Sequence, residues 1–172
     1  MFSTKKVFAL SLLVFIPIIG EAQTCHIDTI TATTPTSNFT DNGNDTITDN
    51  KTGLMWKKCT EGQTGASCKS KEKKFSWEDA LQYVKKLNEG GGFLGFKDWR
   101  LPTLRELNSL VEEQCVEPAI NTTLFPNTPS KAYWTSSPYA GFSDYAWCVN
   151  YQYGYDSYVS AKYSGNAIRL VR

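Results

Sequence analysis

Side chains able to carry out acid–base or nucleophilic chemistry are few in this sequence of 172 residues. A Ser-His-Asp or Cys-His site needs a base beside its nucleophile. The single histidine, His26, lies near the N-terminus beside Cys25, which is a poor position for such a base. We expect the acidic residues Glu112, Glu113 and Asp144 to be solvated surface charges. The sequence therefore predicts a protein that is not an enzyme and has no cofactor.

Oxygen-bearing side chains between Asp41 and Asp49 form the best candidate for a metal site. The run Asp41-Asn-Gly-Asn-Asp45, followed by Asp49, offers the oxygen ligands that calcium prefers. It lacks the terminal bidentate Glu of an EF-hand loop, and turn chemistry explains its Asn and Gly residues. Zinc is also unexpected, because there is no Cys-x-x-Cys motif. We therefore predict no metal site.

The tyrosines are concentrated near the C-terminus, where seven of the nine lie between Tyr139 and Tyr163. Tyr supplies rigid contact area, and the interleaved Ser, Gly and Asn residues supply adaptable polar contacts. A twisted sheet with aromatic cross-strand pairs is the alternative interpretation. We assign Trp134, Trp147, Val149, Ile168 and Leu170 to the core. The predicted ligand-binding residues are Tyr139, Asp144, Tyr145, Tyr153, Tyr155, Asp156, Tyr158, Lys162 and Tyr163.

The N-terminal 22 residues have the pattern of a secretory signal peptide. Two lysines precede an apolar run from Val7 to Ile19, and small residues follow up to a cleavage site after Ala22. A lipoprotein signal ending at Cys25 is disfavoured, because the residues before that cysteine match a lipid-attachment sequence poorly. The run is too short for a comfortable membrane span. We expect a secreted, periplasmic or cell-surface protein without a transmembrane segment.

Cleavage at that site leaves an uncharged chain. Removal of Lys5, Lys6 and Glu21 reduces the totals of 18 basic and 17 acidic residues to 16 each. A neutral chain argues against non-specific binding to nucleic acid or to an anionic membrane. Its length fits one domain. An oligomer is possible, but nothing in the sequence implies one.

All five cysteines lie beyond the cleavage site, so disulfides are expected in the exported protein. Cys59 and Cys68 bracket a polar loop and form the best pair. A Cys25–Cys115 bridge would tie the N-terminal segment to the end of a helix. Cys148 would then be a buried, inert thiol on a strand. The connectivity stays open, because spacing alone does not fix it.

The pattern of elements after residue 38 is that of an α+β domain, preceded by an extended segment over residues 23–37. Ser76 begins one helix with Asp79 as its capping partner, and Thr103 begins a second with Glu106. The second helix has an apolar stripe that continues to Val111. Strands are predicted at residues 46–48, 54–57, 132–136, 145–151, 155–161 and 167–171.

The segment Asp98-Trp-Arg-Leu-Pro-Thr103 joins the two predicted helices. Pro102 sets an extended approach, and Thr103 caps the second helix. We predict an ion pair between Asp98 and Arg100 that holds this corner, and we favour this structural role over a role in ligand binding.

Several short motifs occur along the chain in a characteristic order. They are Thr52-Gly-Leu-Met-Trp56, the Cys59 to Cys68 loop, Trp77 with Ala80-Leu81, Asp98-Trp-Arg-Leu-Pro-Thr103, Glu106-Leu107, Pro118-Ala-Ile-Asn121, Phe125-Pro126, Tyr133-Trp-Thr-Ser-Ser137 and Ile168-Arg-Leu-Val-Arg172. Over residues 38–172 the chain resembles the C-terminal domain of bacterial collagen-like adhesins, the Lcl C-terminal domain. The Arg-Leu-Pro-Thr helix entry is also similar to that of formylglycine-generating and sulfatase-modifying proteins. The resemblance implies a C-type-lectin-like fold.

The resemblance also implies a function in adhesion. In the collagen-like adhesin the domain is implicated in binding sulfated glycosaminoglycans, but Lys162 is the only basic residue between Lys131 and Arg169 here. The tail by itself favours a neutral glycan or a protein as ligand. We therefore expect an exported binding module for an extracellular glycan or protein. The alternatives are a structural subunit of the cell envelope or an appendage and, third, an enzyme of unknown chemistry.

Overall fold

The computed structural model describes residues 22–172, apart from the side chains of residues 156–158. The predicted signal peptide, except for its last residue Ala22, lies outside the described residues. Within residues 22–172, no helix is both long enough and apolar enough to cross a membrane.

The domain contains two helices and three small antiparallel sheets, so the predicted α+β class is confirmed. The strands are β1 (Thr24–Cys25), β2 (Phe39–Asp41), β3 (Thr46–Asp49), β4 (Met55–Lys57), β5 (Cys115–Val116), β6 (Ala132–Pro138), β7 (Tyr145–Asn150) and β8 (Tyr155–Ala161). The helices are α1 (Trp77–Glu89) and α2 (Leu104–Asn108), with a 3₁₀ turn at Thr36–Asn38. The sheets pair β1 with β5, β2 with β3 and β4, and β6 with β7 and β8.

Both helices begin where the capping residues predict. The Ser76 hydroxyl accepts a hydrogen bond from the backbone N–H of Asp79, and Thr103 and Glu106 form a complete capping box. The second helix is shorter than its apolar stripe predicts. Val111 lies beyond the end of the helix and forms a β-bridge with Ile120. It is buried as predicted, but not as part of the helix.

The C-terminal segment, residues 166–172, runs between the N-terminal and C-terminal sheets as a series of single β-bridges, not as the predicted strand. Its backbone bonds join Lys57 N to Leu170 O at 3.0 Å, Arg100 N to Val171 O at 2.9 Å and Trp134 N to Ala167 O at 2.9 Å. Ile168 and Leu170 face one core cluster, and Ala167 and Val171 face the other. The core positions predicted for Trp134, Val149, Ile168 and Leu170 are confirmed.

Both predicted disulfides are present. Cys59 is bonded to Cys68, and Cys25 is bonded to Cys115 across the β1–β5 pair. Cys148 is a free, buried cysteine, as predicted. The first bridge closes a surface loop, and the second holds the N-terminal segment against the body of the domain.

The predicted ion pair between Asp98 and Arg100 is wrong. The Arg100 guanidinium makes a two-pronged contact with the Glu106 carboxylate at 2.7 and 2.8 Å. Asp98 instead pairs with Arg172, whose Nε lies 2.8 Å from its carboxylate. Backbone pairing of Arg100 with Val171 places Arg172 beside Asp98, a long-range consequence that the local sequence does not reveal.

The prediction that Glu112 is a solvated surface charge is also wrong. Its side chain is buried, and its carboxylate accepts hydrogen bonds from the backbone N–H of Thr33 at 2.9 Å and of Thr34 at 2.8 Å. Burial acts to raise the pKa of Glu112, but these bonds outweigh it and the pKa lies below its ordinary value. Glu112 is therefore a structural anchor for the N-terminal segment, whereas Glu113 and Asp144 are exposed as predicted.

Candidate functional site

The sheet formed by β6, β7 and β8 is covered unevenly. One face carries Trp134, Ala146 and Cys148 and packs in the core cluster that includes residues of α1. On the other face, α2 covers one end, where the Tyr151 hydroxyl donates to Leu107 O at 2.9 Å. Towards the β6–β7 loop this face extends beyond α2, so its aromatic side chains remain partly accessible.

Four aromatic residues form a contiguous patch at that end: Tyr139, Phe142, Tyr145 and Trp147, which we call the aromatic platform. The Tyr139 ring meets the Trp147 ring edge-on at a centroid distance of 5.1 Å. Phe142 lies 6.2 Å from Tyr139 and 5.9 Å from Tyr145, and it is 67% exposed. The other three rings are half-buried, so their orientations are constrained by packing while an edge or face remains accessible.

Two findings on the platform differ from the sequence analysis. Trp147 was predicted to be core, yet it is half-buried because its neighbour on this face is Tyr139 and not a helix. Phe142 was not predicted as a site residue. The signal available was a large apolar residue within the polar turn Gly141-Phe-Ser-Asp144, where burial would be difficult.

The loop that carries Phe142 is tied to the end of β8. Lys162 donates from its ammonium group to Ser143 O at 2.6 Å, and its backbone N–H donates to Asp144 O at 2.8 Å. The same ammonium lies 4.5 Å from the centre of the Trp77 ring. Lys162, predicted to bind ligand directly, therefore has a positioning role for the platform.

Gly141 packs closely against the Tyr139 ring. A Cβ atom at this position would lie 2.6 Å from the Tyr139 ring, well inside van der Waals contact. A side chain at position 141 would therefore displace the Tyr139 ring from its present position.

A cleft of about 570 Å³ adjoins the platform and is lined by Thr103, Leu104, Arg105, Asn108 and Ser137. The hydroxyl of Ser137 accepts a hydrogen bond from the backbone N–H of Leu104 at 3.1 Å, which joins α2 to the end of β6. Ser137 precedes Tyr139 by two residues of extended chain, or roughly 7 Å. The cleft therefore has one lining residue, Ser137, close in the chain to the Tyr139 end of the platform.

Two of the other predicted ligand residues, Tyr153 and Tyr155, lie at the opposite end of the sheet. Tyr153 and Tyr155 are 47% and 61% exposed, with ring centroids 5.8 Å apart beside the β7–β8 turn. The length of β7 separates this pair from the platform by roughly 17 Å. The predicted single face is therefore divided into two groups. Tyr163, 84% exposed, belongs to the platform end, and the side chains of Asp156 and Tyr158 lie outside the described residues.

A family model described as the Lcl C-terminal domain matches residues 45–172. The chain belongs to this family. No curated protein matches the chain. The matched region begins in the turn before β3 and includes the platform, the cleft and the Tyr153–Tyr155 pair.

Membership of the Lcl C-terminal domain family marks this chain as an adhesin-associated type of domain. Its two disulfides indicate an extracellular or periplasmic location, because such bonds persist in oxidising compartments. In this Lcl C-terminal domain, no group of three or more His, Cys, Asp or Glu residues within the described chain is arranged to hold a metal ion.

Proposed function

We propose that this Lcl C-terminal domain is an exported, non-catalytic adhesion module that binds an extracellular glycan. The observation that supports it is the aromatic platform, in which four rings contact one another at the surface and Phe142 is 67% exposed. Single exposed apolar residues are common, but a contiguous patch beside a cleft is typical of an interaction site.

The composition of the surface favours an uncharged saccharide as ligand. Aromatic rings pack against the apolar faces of sugar rings, and the hydroxyl and amide groups of Thr103, Asn108 and Ser137 suit sugar hydroxyls. Arg105 is the one basic residue lining the cleft, and the Lys162 ammonium is already engaged by Ser143. A strongly sulfated chain would require more cationic groups than this surface offers.

The non-catalytic part of the proposal is supported by the positions of the reactive groups. His26 is exposed on the N-terminal segment and does not line the cleft at α2. Burial raises the pKa of the Cys148 thiol far above its ordinary value, so this cysteine stays protonated and unreactive. Neither residue has the partner that nucleophilic catalysis requires.

The test is a screen of the disulfide-bonded domain on arrays of neutral glycans, sulfated glycans and extracellular-matrix proteins, with and without calcium. We expect binding to neutral glycans that Phe142→Ala reduces at least tenfold, since aromatic anchors dominate such contacts. Tyr155→Ala is the matched control, because it removes an exposed ring at the other end of the sheet. Binding lost with Tyr155→Ala and retained with Phe142→Ala would reject the platform as the site.

A structural subunit of the envelope is the second candidate, and exposed apolar side chains favour it. Ile27 on the N-terminal segment is 70% exposed, and Phe142 is exposed to a similar degree. Permanent packing on a partner would bury both residues. If the wild-type domain forms a stable oligomer that Ile27→Ser or Phe142→Ser dissociates, and no array ligand binds, the structural function replaces the adhesive one.

A further inference from the structure

A second concave site lies on another part of the domain, beside the Cys59–Cys68 loop. It is a cavity of about 320 Å³, and the residues that line it are distinct from those of the cleft at α2. The chemical character of the cavity comes from six of its lining residues: Lys57, Glu61, Gln63, Lys73, Tyr83 and Phe93. They combine hydrogen-bond donors and acceptors with two aromatic rings.

A buried carboxylate forms the base of this cavity. Glu61 is 4% exposed, its Oε1 lies 2.5 Å from the Lys57 ammonium, and its Oε2 accepts a hydrogen bond from the Tyr83 hydroxyl at 2.7 Å. The backbone N–H of Glu61 donates to Ile168 O at 3.1 Å, and the backbone carbonyl of Glu61 accepts from the backbone N–H of Lys73 at 2.8 Å. The carboxylate is therefore fixed in position by the core of the domain.

The wall of the cavity depends on a close approach between two segments of backbone. Gly62 has a φ of +94°, and a Cβ at this position would lie 2.5 Å from the backbone nitrogen of Lys73. The Cys59–Cys68 bridge closes the loop that contains Gly62. Together the glycine and the disulfide define the shape of the cavity before any ligand arrives, which lowers the entropic penalty of binding.

The hydrogen-bonding capacity of this cavity is not used up by the described residues. The side-chain oxygen of Gln63 is enclosed and accepts no hydrogen bond from them, while its amide nitrogen donates to Asn127 O at 2.9 Å. The Lys57 ammonium lies 4.3 Å from the centre of the Phe93 ring, and that of Lys73 lies 5.9 Å from the Tyr83 ring. The two ammonium groups thus lie at this space, and the Gln63 oxygen is an acceptor without a partner among the described residues of its wall.

The charges that line the cavity balance. Lys57 and Lys73 are matched by Glu61 and Asp45, so a charged ligand gains no net attraction. A polyol presents both donors and acceptors to such a set, and one face of a pyranose ring can pack on an aromatic side chain. The volume is within the range of small-ligand pockets and suits one sugar residue better than a chain.

We propose that this cavity binds a single uncharged sugar residue, with Gln63 accepting from one hydroxyl, Lys73 donating to another and Phe93 contacting the ring. The site is separate from the aromatic platform, and the inference does not depend on the ligand of the platform. A terminal residue of a glycan or a free monosaccharide presents this chemistry.

The experiment is a two-dimensional ¹H–¹⁵N NMR titration of the wild-type domain with methyl glycosides of glucose, galactose and mannose, and with glucosamine and glucuronate as charged probes. We expect at least one methyl glycoside to shift the amide signals of Gly62, Gln63 and Lys73 in a saturable manner. Gln63→Ala should weaken that binding about tenfold, the equivalent of one well-placed hydrogen bond. Gln82→Ala is the control, because Gln82 is an exposed glutamine on α1 that does not line the cavity.

The outcomes separate this proposal from others. Lys73→Ala, at an exposed position, provides a second variant with little risk to folding and should also weaken binding. Phe142→Ala should leave it unchanged, which distinguishes this site from the platform. Saturable shifts only with glucosamine or glucuronate would overturn the assignment to an uncharged sugar. The site itself would be overturned if the amide signals of Gly62, Gln63 and Lys73 did not shift. It would also be overturned if Gln63→Ala and Lys73→Ala both left the affinity unchanged.

Discussion

At the scale of single residues, Arg169 shows how much of this domain depends on one polar group inside the core. Its side chain is completely buried, and it donates to Lys57 O at 2.9 Å and to the Thr128 hydroxyl at 2.7 Å, with a further bond to Lys58 O. Its guanidinium also lies 4.7 Å from the centre of the Phe125 ring. One planar group thereby satisfies acceptors from two segments of chain that are far apart in sequence.

Replacement of Arg169 by Met should lower the free energy of unfolding by about 3–5 kcal/mol, because it leaves buried carbonyl groups without donors. Arg105→Met, at an exposed position on α2, should change it by about 0.5 kcal/mol or less. Urea denaturation followed by circular dichroism measures both. Equal effects for the two variants would show that the buried hydrogen bonds of Arg169 do not stabilise the fold.

At the scale of elements, α2 is held mainly by its N-terminus. With only five residues it has little internal helical stability, so the capping box and the Arg100–Glu106 pair carry much of the local order. The hydrogen bond from Arg100, assisted by those from Thr103, outweighs partial burial and lowers the pKa of Glu106 to about 2. Because α2 forms one side of the cleft, its stability bears on the proposed binding surface.

The depressed pKa of Glu106 predicts a pH dependence with a definite sign. A carboxyl group whose pKa is lower in the folded state stabilises the protein above its ordinary pKa of 4.5, and this contribution is lost as the pH falls towards about 2. Glu106→Gln keeps a capping side chain but removes the charge, and it should lower stability by about 1 kcal/mol at neutral pH.

The measurement is urea unfolding of the wild type and of Glu106→Gln, first at neutral pH and then at a pH close to the lowered pKa of Glu106. It gives the difference in stability between the two proteins at each pH. We expect the two proteins to converge in stability at the acidic end. A difference of the same size at every pH would mean that the ion pair is not responsible.

The sequence was informative about elements and less so about contacts between them. Ser76 and Thr103 mark the helix starts, because capping depends on residues only three positions apart. The partners of Asp98 and Arg100 could not be read in this way, since Asp98 pairs with a residue 74 positions away. The exposure of Phe142 and the partial burial of Trp147 could not be predicted either. Both depend on where α2 ends over the sheet, which is a tertiary feature.

At the scale of the whole molecule, the two disulfides act over different lengths of chain. The Cys25–Cys115 bridge spans 90 residues and fixes the N-terminal segment, whereas the Cys59–Cys68 bridge spans 9 and fixes one loop. The longer bridge restricts the unfolded chain more strongly. Global stability should therefore depend mainly on the first, and the cavity beside Gly62 on the second.

Paired Cys→Ala variants test this division. Removing Cys25–Cys115 should lower the unfolding free energy by roughly 4–5 kcal/mol, and removing Cys59–Cys68 by roughly 2–3 kcal/mol, according to loop-closure entropy. Differential scanning calorimetry compares the two under the same conditions. A larger loss of stability on removing Cys59–Cys68 would contradict the assignment of the Cys25–Cys115 bridge as the main constraint on global stability.

The proposed recognition surface is a property of the whole domain, because it combines a loop, a sheet and a helix. The central claim is that ligand contacts the aromatic platform and not the tyrosine-rich tail as a whole. Mapping the ring protons that receive saturation from a bound neutral glycan by NMR tests this most directly. We predict transfer to Phe142, Tyr139 and Trp147 with none to Tyr153 or Tyr155; transfer centred on the latter pair, or on no aromatic ring, would contradict the account.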